Sequence, residues 1–207
     1  MTTELTLIRH AQSKAQTGEQ AWLDPELSDL GRQQARRVAG FFSGTQYDLA
    51  IVSPLRRART TFELARIRAH EIRFDSRLVE VTLGRGPGYD YREILPYTTP
   101  TYGTADAADM WNAPAGVRAA SLLSELRGFP GRVIMVGHCG IFHVVRAYLS
   151  GDPIEGEPVF TEELRSILMD NVALSTAEVG VSPRKDRILE WNRPILSQQG
   201  ASRSAFV

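Results

Sequence analysis

Short apolar runs alternate with longer amphipathic stretches along most of this chain. Leu5–Ile8, Leu49–Val52 and Val133–Val136 are rich in Val, Ile and Leu and are bounded by turn residues. Unbroken apolar runs of that length mark strands buried on both faces, as in parallel sheets. The segments between them carry helical spacing. Ser28 is placed to cap a helix running to about Phe42, with Leu30, Ala35, Val38, Ala39 and Phe42 on its inner side. Ser53-Pro54 predicts the start of a second helix reaching about Ile67, with serine as the cap and proline in the first turn. Gly116 to Leu126 and Ile141 to Leu149 predict two more. Near the end, Val172–Val179 and Ile188–Trp191 read as strands that pair antiparallel at a sheet edge. This alternation predicts an α/β fold: a three-layer α/β/α sandwich around a mainly parallel sheet, in one domain over residues 1–207.

The pattern breaks over residues 82–114. Glycines and prolines punctuate that stretch, and it holds Tyr89, Tyr91, Tyr97, Tyr102 and Trp111. A long aromatic insertion in a compact domain is expected to be a lid or binding loop. Its aromatic rings suit stacking on a substrate ring, with Arg85 or Arg92 for a second anionic group. The polar tail over 198–207 is expected to be mobile.

Composition narrows the partners. Lys+Arg and Asp+Glu both total 24, so no global field draws the chain to nucleic acid or to a membrane. The basic residues are almost all arginine, with lysine only at positions 14 and 185, which suits phosphate recognition. The single cysteine, Cys139, excludes an internal disulfide and fits a reducing compartment. With no apolar run of membrane-spanning length, the expectation is a soluble, cytoplasmic protein. Oligomeric state is not legible.

Candidate chemistry sits where the apolar runs end. The first run leads into Arg9-His10, the second into Ser53-Pro54-Leu55-Arg56-Arg57, and the third into Gly137-His138-Cys139-Gly140. In a parallel sheet all three ends fall on the carboxyl edge, where open α/β sheets bind ligands. Two histidines and at least two arginines then converge beside helix N-termini, which add donors for an anion. A neutral imidazole is a nucleophile and arginine is a fixed fork for phosphate, so phosphoryl transfer through a phosphohistidine is the leading hypothesis.

Five segments carry a resemblance to the histidine phosphatase superfamily, the group that includes cofactor-dependent phosphoglycerate mutase. They are Leu7-Ile8-Arg9-His10-Ala11-Gln12-Ser13, Leu27 to Ala35, Ser53 to Thr61, Leu78-Val79-Glu80 and Val136-Gly137-His138-Cys139-Gly140. The resemblance implies that His10 is the nucleophile and that Arg9, Arg57 and His138 hold the phosphoryl oxygens. It also implies that Glu80 protonates the leaving oxygen and that Ser13 adds a phosphate contact. Ala11 stands where the family usually has glycine, and Gln16 where asparagine is common, a further candidate contact. Cys139 fills a small-residue position beside the phosphate, and Arg56 is the replaceable neighbour of Arg57.

Physical chemistry asks for the same parts. A loose phosphoryl-transfer transition state is stabilised mainly by fixed positive donors. His10 must hold its other ring N–H on an acceptor, such as a backbone carbonyl, to keep the attacking nitrogen neutral. A carboxyl whose pKa is raised by a nearby dianion can give its proton to the alkoxide, the part expected of Glu80, with Glu93 as the fallback. Neither a metal nor another cofactor is needed. His70, in a polar stretch, is expected at the surface. His143 should face away from His138, and its spacing makes a poor zinc site.

The insertion lacks the lysine-containing basic stretch that mutases use on a phosphorylated three-carbon acid. The expected function is therefore metal-independent hydrolysis of a small-molecule phosphate monoester. Two alternatives stay open: a phosphoglycerate mutase-type phosphotransferase, and a phosphate- or phosphoprotein-binding module without turnover.

Overall fold

The computed structural model describes residues 2–19, 24–81, 113–154 and 169–196. The insertion expected over 82–114, with its tyrosines, Trp111, Arg85, Arg92 and Glu93, lies almost wholly outside them, as does the tail. Six strands make one sheet: β1 (Thr3–Arg9), β2 (Gln46–Val52), β3 (Arg68–Phe74), β4 (Gly131–Gly137), β5 (Leu174–Val179) and β6 (Arg187–Arg193). The strand order is β3-β2-β4-β1-β5-β6. The β3, β2, β4 and β1 strands run parallel, and β5 and β6 follow as the expected antiparallel pair at one edge.

Among the described residues five helices flank the sheet: α1 (Asp29–Arg37), α2 (Ala39–Phe42), α3 (Arg56–Leu64), α4 (Ala115–Leu126) and α5 (Cys139–Leu149). Alternate residues of the central strands feed two separate cores. Leu5, Leu7, Leu49 and Ile51 pack with α4 and α5, whereas Ile8, Ala50, Val52 and Val136 pack with α1, α2 and α3. Each core burial of such a side chain contributes about 1.5–3 kcal/mol, which is why the central strands read as unbroken apolar runs. The result is the three-layer α/β/α arrangement. Among the described residues no helix is long and apolar enough to cross a membrane.

Several expectations need correction. His70 is exposed, as expected, and the stretch that holds it, for which no element was expected, is β3 on the open edge of the sheet. The helix expected from Ser28 to Phe42 breaks at Val38, where Gly40 weakens continuation. The break turns Phe42 into the core and leaves Phe41 outside, under the Arg193 guanidinium. Leu30, expected inside, is 39% exposed. Finally, Ser53 does not cap the helix that follows it. Proline at 54 holds Ser53 out of helical backbone, and α3 begins only at Arg56. Asp24 from a distant loop takes over, its Oδ1 accepting the Arg56 N–H at 2.8 Å. At the other end Arg66 adopts left-handed backbone (φ 52), so α3 stops before Ile67. The strand expected from Val172 starts at Leu174.

Candidate active site

The parallel register sets three strand ends level. Arg9 of β1 pairs with Gly137 of β4, and Val52 of β2 pairs with Val136. His10, Ser53 and His138 are the next residues, so all three emerge on one edge of the sheet. The expected convergence is therefore present.

The loop after β1 is held at every backbone step. His10 N–H donates to Gly137 O at 2.9 Å, Ala11 N–H to Thr61 Oγ1 at 3.0 Å, and Gln12 N–H to Gln34 Oε1 at 3.0 Å. Ser13 N–H donates to Gln16 Oε1 at 3.0 Å and Lys14 N–H to Glu26 O at 2.8 Å. These amides are spent on protein acceptors, which leaves anion recognition at this loop to side chains. The start of α1 packs on the same turn. Ser28 caps the helix by accepting from Gly31 N–H, and its hydroxyl donates to Gln12 Oε1 at 2.7 Å. Gly31 lies so close that a Cβ there would sit 1.9 Å from Gln12 O, so only glycine fits.

The His10 ring is held at both nitrogens. Its Nδ1 lies 2.7 Å from Ala11 O, and Arg57 Nε donates to its Nε2 at 3.3 Å. Nδ1 is therefore the protonated nitrogen, and Nε2 carries the lone pair. Burial pushes the His10 pKa well below the usual histidine value, and the charges of Arg57 and Arg9 push it further. His138 lies against it, with ring centroids 5.0 Å apart. Burial is again the largest cause of its lowered pKa, followed by Arg57, His10, Arg9 and Arg118. His138 Nε2 is 2.7 Å from Ser53 Oγ, while its buried Nδ1 meets no hydrogen-bonding atom among the described residues. The hydroxyl expected to cap α3 thus orients His138 instead.

Arg9 and Arg57 come from different elements. Arg9 ends β1, and its Nη1 donates to Met169 O at 2.5 Å. Arg57 sits in the first turn of α3, buried, whereas Arg56 beside it is exposed and paired with Asp24.

Glu80 reaches the site from the segment after β3. A buried ion-pair cluster stiffens that segment: Arg77 Nη2 meets Asp75 Oδ2 and Glu125 Oε2, both at 2.6 Å, and Arg73 pairs with Glu125. Arg118 of α4 donates from Nη1 to Val79 O at 2.7 Å. Glu80 Oε1 then accepts from Val81 N–H at 2.9 Å and from Ile141 N–H at 3.3 Å. Its carboxylate lies at the N-terminal turn of α5, which His138 precedes.

The other expected residues divide. Cys139 is buried at the start of α5, and burial drives its thiol pKa up to about 12, so it is a neutral filler rather than a thiolate. Ser13 and Gln16 are engaged with each other, and Gln16 Nε2 donates to Asn171 Oδ1 at 3.0 Å. Asn171 was not foreseen. It donates from Nδ2 to His10 O at 2.9 Å. The only hint in the sequence is an amide immediately before the apolar run 172–174. His143 lies off the site; burial and Arg146 lower its pKa. Among the described residues no cluster of His, Cys, Asp and Glu is placed to hold a metal ion.

The histidine phosphatase superfamily (branch 1) matches residues 5–193. The chain belongs to this superfamily. As a histidine phosphatase it is 31% identical over 175 residues to a glucosyl-3-phosphoglycerate phosphatase from Mycolicibacterium vanbaalenii, covering 75% of this chain and 77% of that one. It is 29% identical over 130 residues to phosphoserine phosphatase 1 from Hydrogenobacter thermophilus, covering 61% and 62%. The solved native structure of a mycobacterial glucosyl-3-phosphoglycerate phosphatase shares the fold at a TM-score of 0.63, with 24% identity over 94% of this chain and 100% of that one. With relatives of this kind, the protein is a phosphoric monoester hydrolase of the superfamily.

Proposed function

We propose that this enzyme hydrolyses small phosphate monoesters in two steps through a phosphohistidine on His10, without a metal ion. In the first, the Nε2 lone pair attacks phosphorus, the ester P–O bond breaks, and the Glu80 carboxyl gives its proton to the departing alkoxide. In the second, the Glu80 carboxylate takes a proton from water, whose oxygen attacks phosphorus; the N–P bond breaks and returns the lone pair to Nε2. Arg9, Arg57 and His138 carry the equatorial oxygens. The observation supporting this most directly is the ring of His10, with Nδ1 on Ala11 O and Nε2 facing Arg57. Arg57 Nε donates to that lone pair at 3.3 Å. A phosphoryl group entering the pocket draws that guanidinium onto its oxygens and uncovers the nucleophile.

Both sequence relatives are named for phosphate esters that also carry a carboxylate. Carboxylate-bearing phosphomonoesters therefore head the substrate panel. A cytoplasmic location and a single catalytic domain belong to the same reading. The test is hydrolysis of an aryl phosphate in excess EDTA, comparing the wild type with His10→Ala. Turnover that survives EDTA and is lost in the variant is the expected result. Equal turnover in both proteins refutes the role of His10. Isomerisation of a phosphoglycerate primed by its bisphosphate, without net hydrolysis, would make the enzyme a mutase.

A further inference from the structure

We infer that Asn171, through an amide pair with Gln16, is a positioning residue that sets the tautomer and aim of the His10 nucleophile; this rests on His10 being that nucleophile. The argument begins with two peptide planes. The plane joining His10 to Ala11 is held at its oxygen by Asn171 Nδ2 at 2.9 Å and at its nitrogen by Thr61 Oγ1 at 3.0 Å. The plane joining Ala11 to Gln12 is held at its nitrogen by Gln34. Its oxygen is the acceptor for His10 Nδ1 at 2.7 Å. Rotation of the first plane would swing the second and carry that acceptor away from the ring. Asn171 holds the carbonyl side of the first plane from the segment that leads into β5, the strand beside β1.

Asn171 is itself fixed. Its Oδ1 accepts from Gln16 Nε2 at 3.0 Å, and its Nδ2 also lies 3.3 Å from Gln16 Oε1. The backbone beside it is anchored to β1, with Val172 N–H on Arg9 O at 3.1 Å and Arg9 N–H on Ala173 O at 3.4 Å. Val172 has φ 52, a left-handed conformation that a β-branched residue adopts only under constraint. Met169 O, two residues before Asn171, accepts the Arg9 guanidinium. One short segment ahead of β5 thus grips the phosphate-binding arginine by its side chain and the nucleophile by its backbone. Gln16, expected to touch substrate, is the outer half of this clamp.

Asn171→Asp keeps the shape, and its carboxylate can still accept from Gln16, but it removes the donor to His10 O. The readouts are the single-turnover rate of His10 phosphorylation by an aryl phosphate, the steady-state KM, and the imidazole ¹⁵N shifts of His10. The expected result is a fall of about 10- to 100-fold in the phosphorylation rate with KM nearly constant, and a second His10 tautomer in the spectrum. Gln16→Leu, at a half-exposed position, should shift the same readouts in the same direction by less. It decides the matter if the first variant does not fold. A raised KM with an unchanged rate would overturn the inference in favour of substrate contact. Unaltered rate and tautomer in a folded variant would overturn it outright. The tautomer needs no turnover, so a catalytically competent His10→Ala control would sink the role of His10 separately.

Discussion

Acid should destabilise this protein through the two histidines it buries at the carboxyl edge of its sheet. His10 and His138 are 4% and 0% exposed, and burial, then Arg57, hold both pKa values well below the ordinary histidine range. A folded pKa below the unfolded one means that, as pH falls through about 6.5, the unfolded chain takes up protons that the folded one refuses. Stability is thus fully present above that value and declines below it. Each group costs about 1.4 kcal/mol between pH 7.5 and 5.5, so the pair costs about 3 kcal/mol, a large part of an ordinary domain's stability. His143 adds to the same slope, but equally in every variant that keeps it. Asp24, raised by burial, is likewise common to all. Urea unfolding at both pH values, on the wild type, His10→Gln and His138→Gln, isolates the effect. Each variant should lose about half of the pair's contribution to the acid slope. Variants that keep the full wild-type slope would refute the claim that these rings are held neutral by their surroundings.

Glu80→Gln should slow His10 phosphorylation by an alkyl phosphate by about 10²–10⁴-fold but by much less with p-nitrophenyl phosphate, whose leaving group needs no proton; equal losses would remove Glu80 as the acid. Gly31→Ala drives a methyl onto the Gln12 carbonyl, and thermal unfolding should show a loss of about 1–3 kcal/mol together with reduced turnover. An unchanged melting temperature would mean that α1 does not brace the loop after β1. Ser53→Ala strips His138 Nε2 of its 2.7 Å partner and should cost about 1–3 kcal/mol by chemical denaturation, with a lower kcat; neither change would mean that Ser53 does not orient the ring.

Much of this was readable from the sequence because β1, β2 and β4 are covered on both faces and show it as unbroken apolar runs. The same runs give away the edge where His10 and His138 emerge, and a neighbouring motif gives Arg57. Strand β3 escaped for the opposite reason. It lies on the open edge, and Arg68, His70, Glu71 and Ile72 face solvent, so neither an apolar run nor clean alternation marks it. Ser53 misled because a serine before proline is a good helix cap in isolation; only the fold places His138 within 2.7 Å of its hydroxyl. Asn171 is a purely tertiary feature. It lies 161 positions from the residue whose carbonyl it binds, and no local pattern connects the two.

The most direct measurement is to quench the enzyme with acid-labile, base-stable linkages preserved, during turnover of an aryl phosphate, and locate the phosphate by mass spectrometry and ³¹P NMR. A phosphoramidate on Nε2 of His10 is the predicted species, forming and decaying at rates that support turnover. Phosphate on any other side chain, on Nδ1, or on none while hydrolysis proceeds would contradict it.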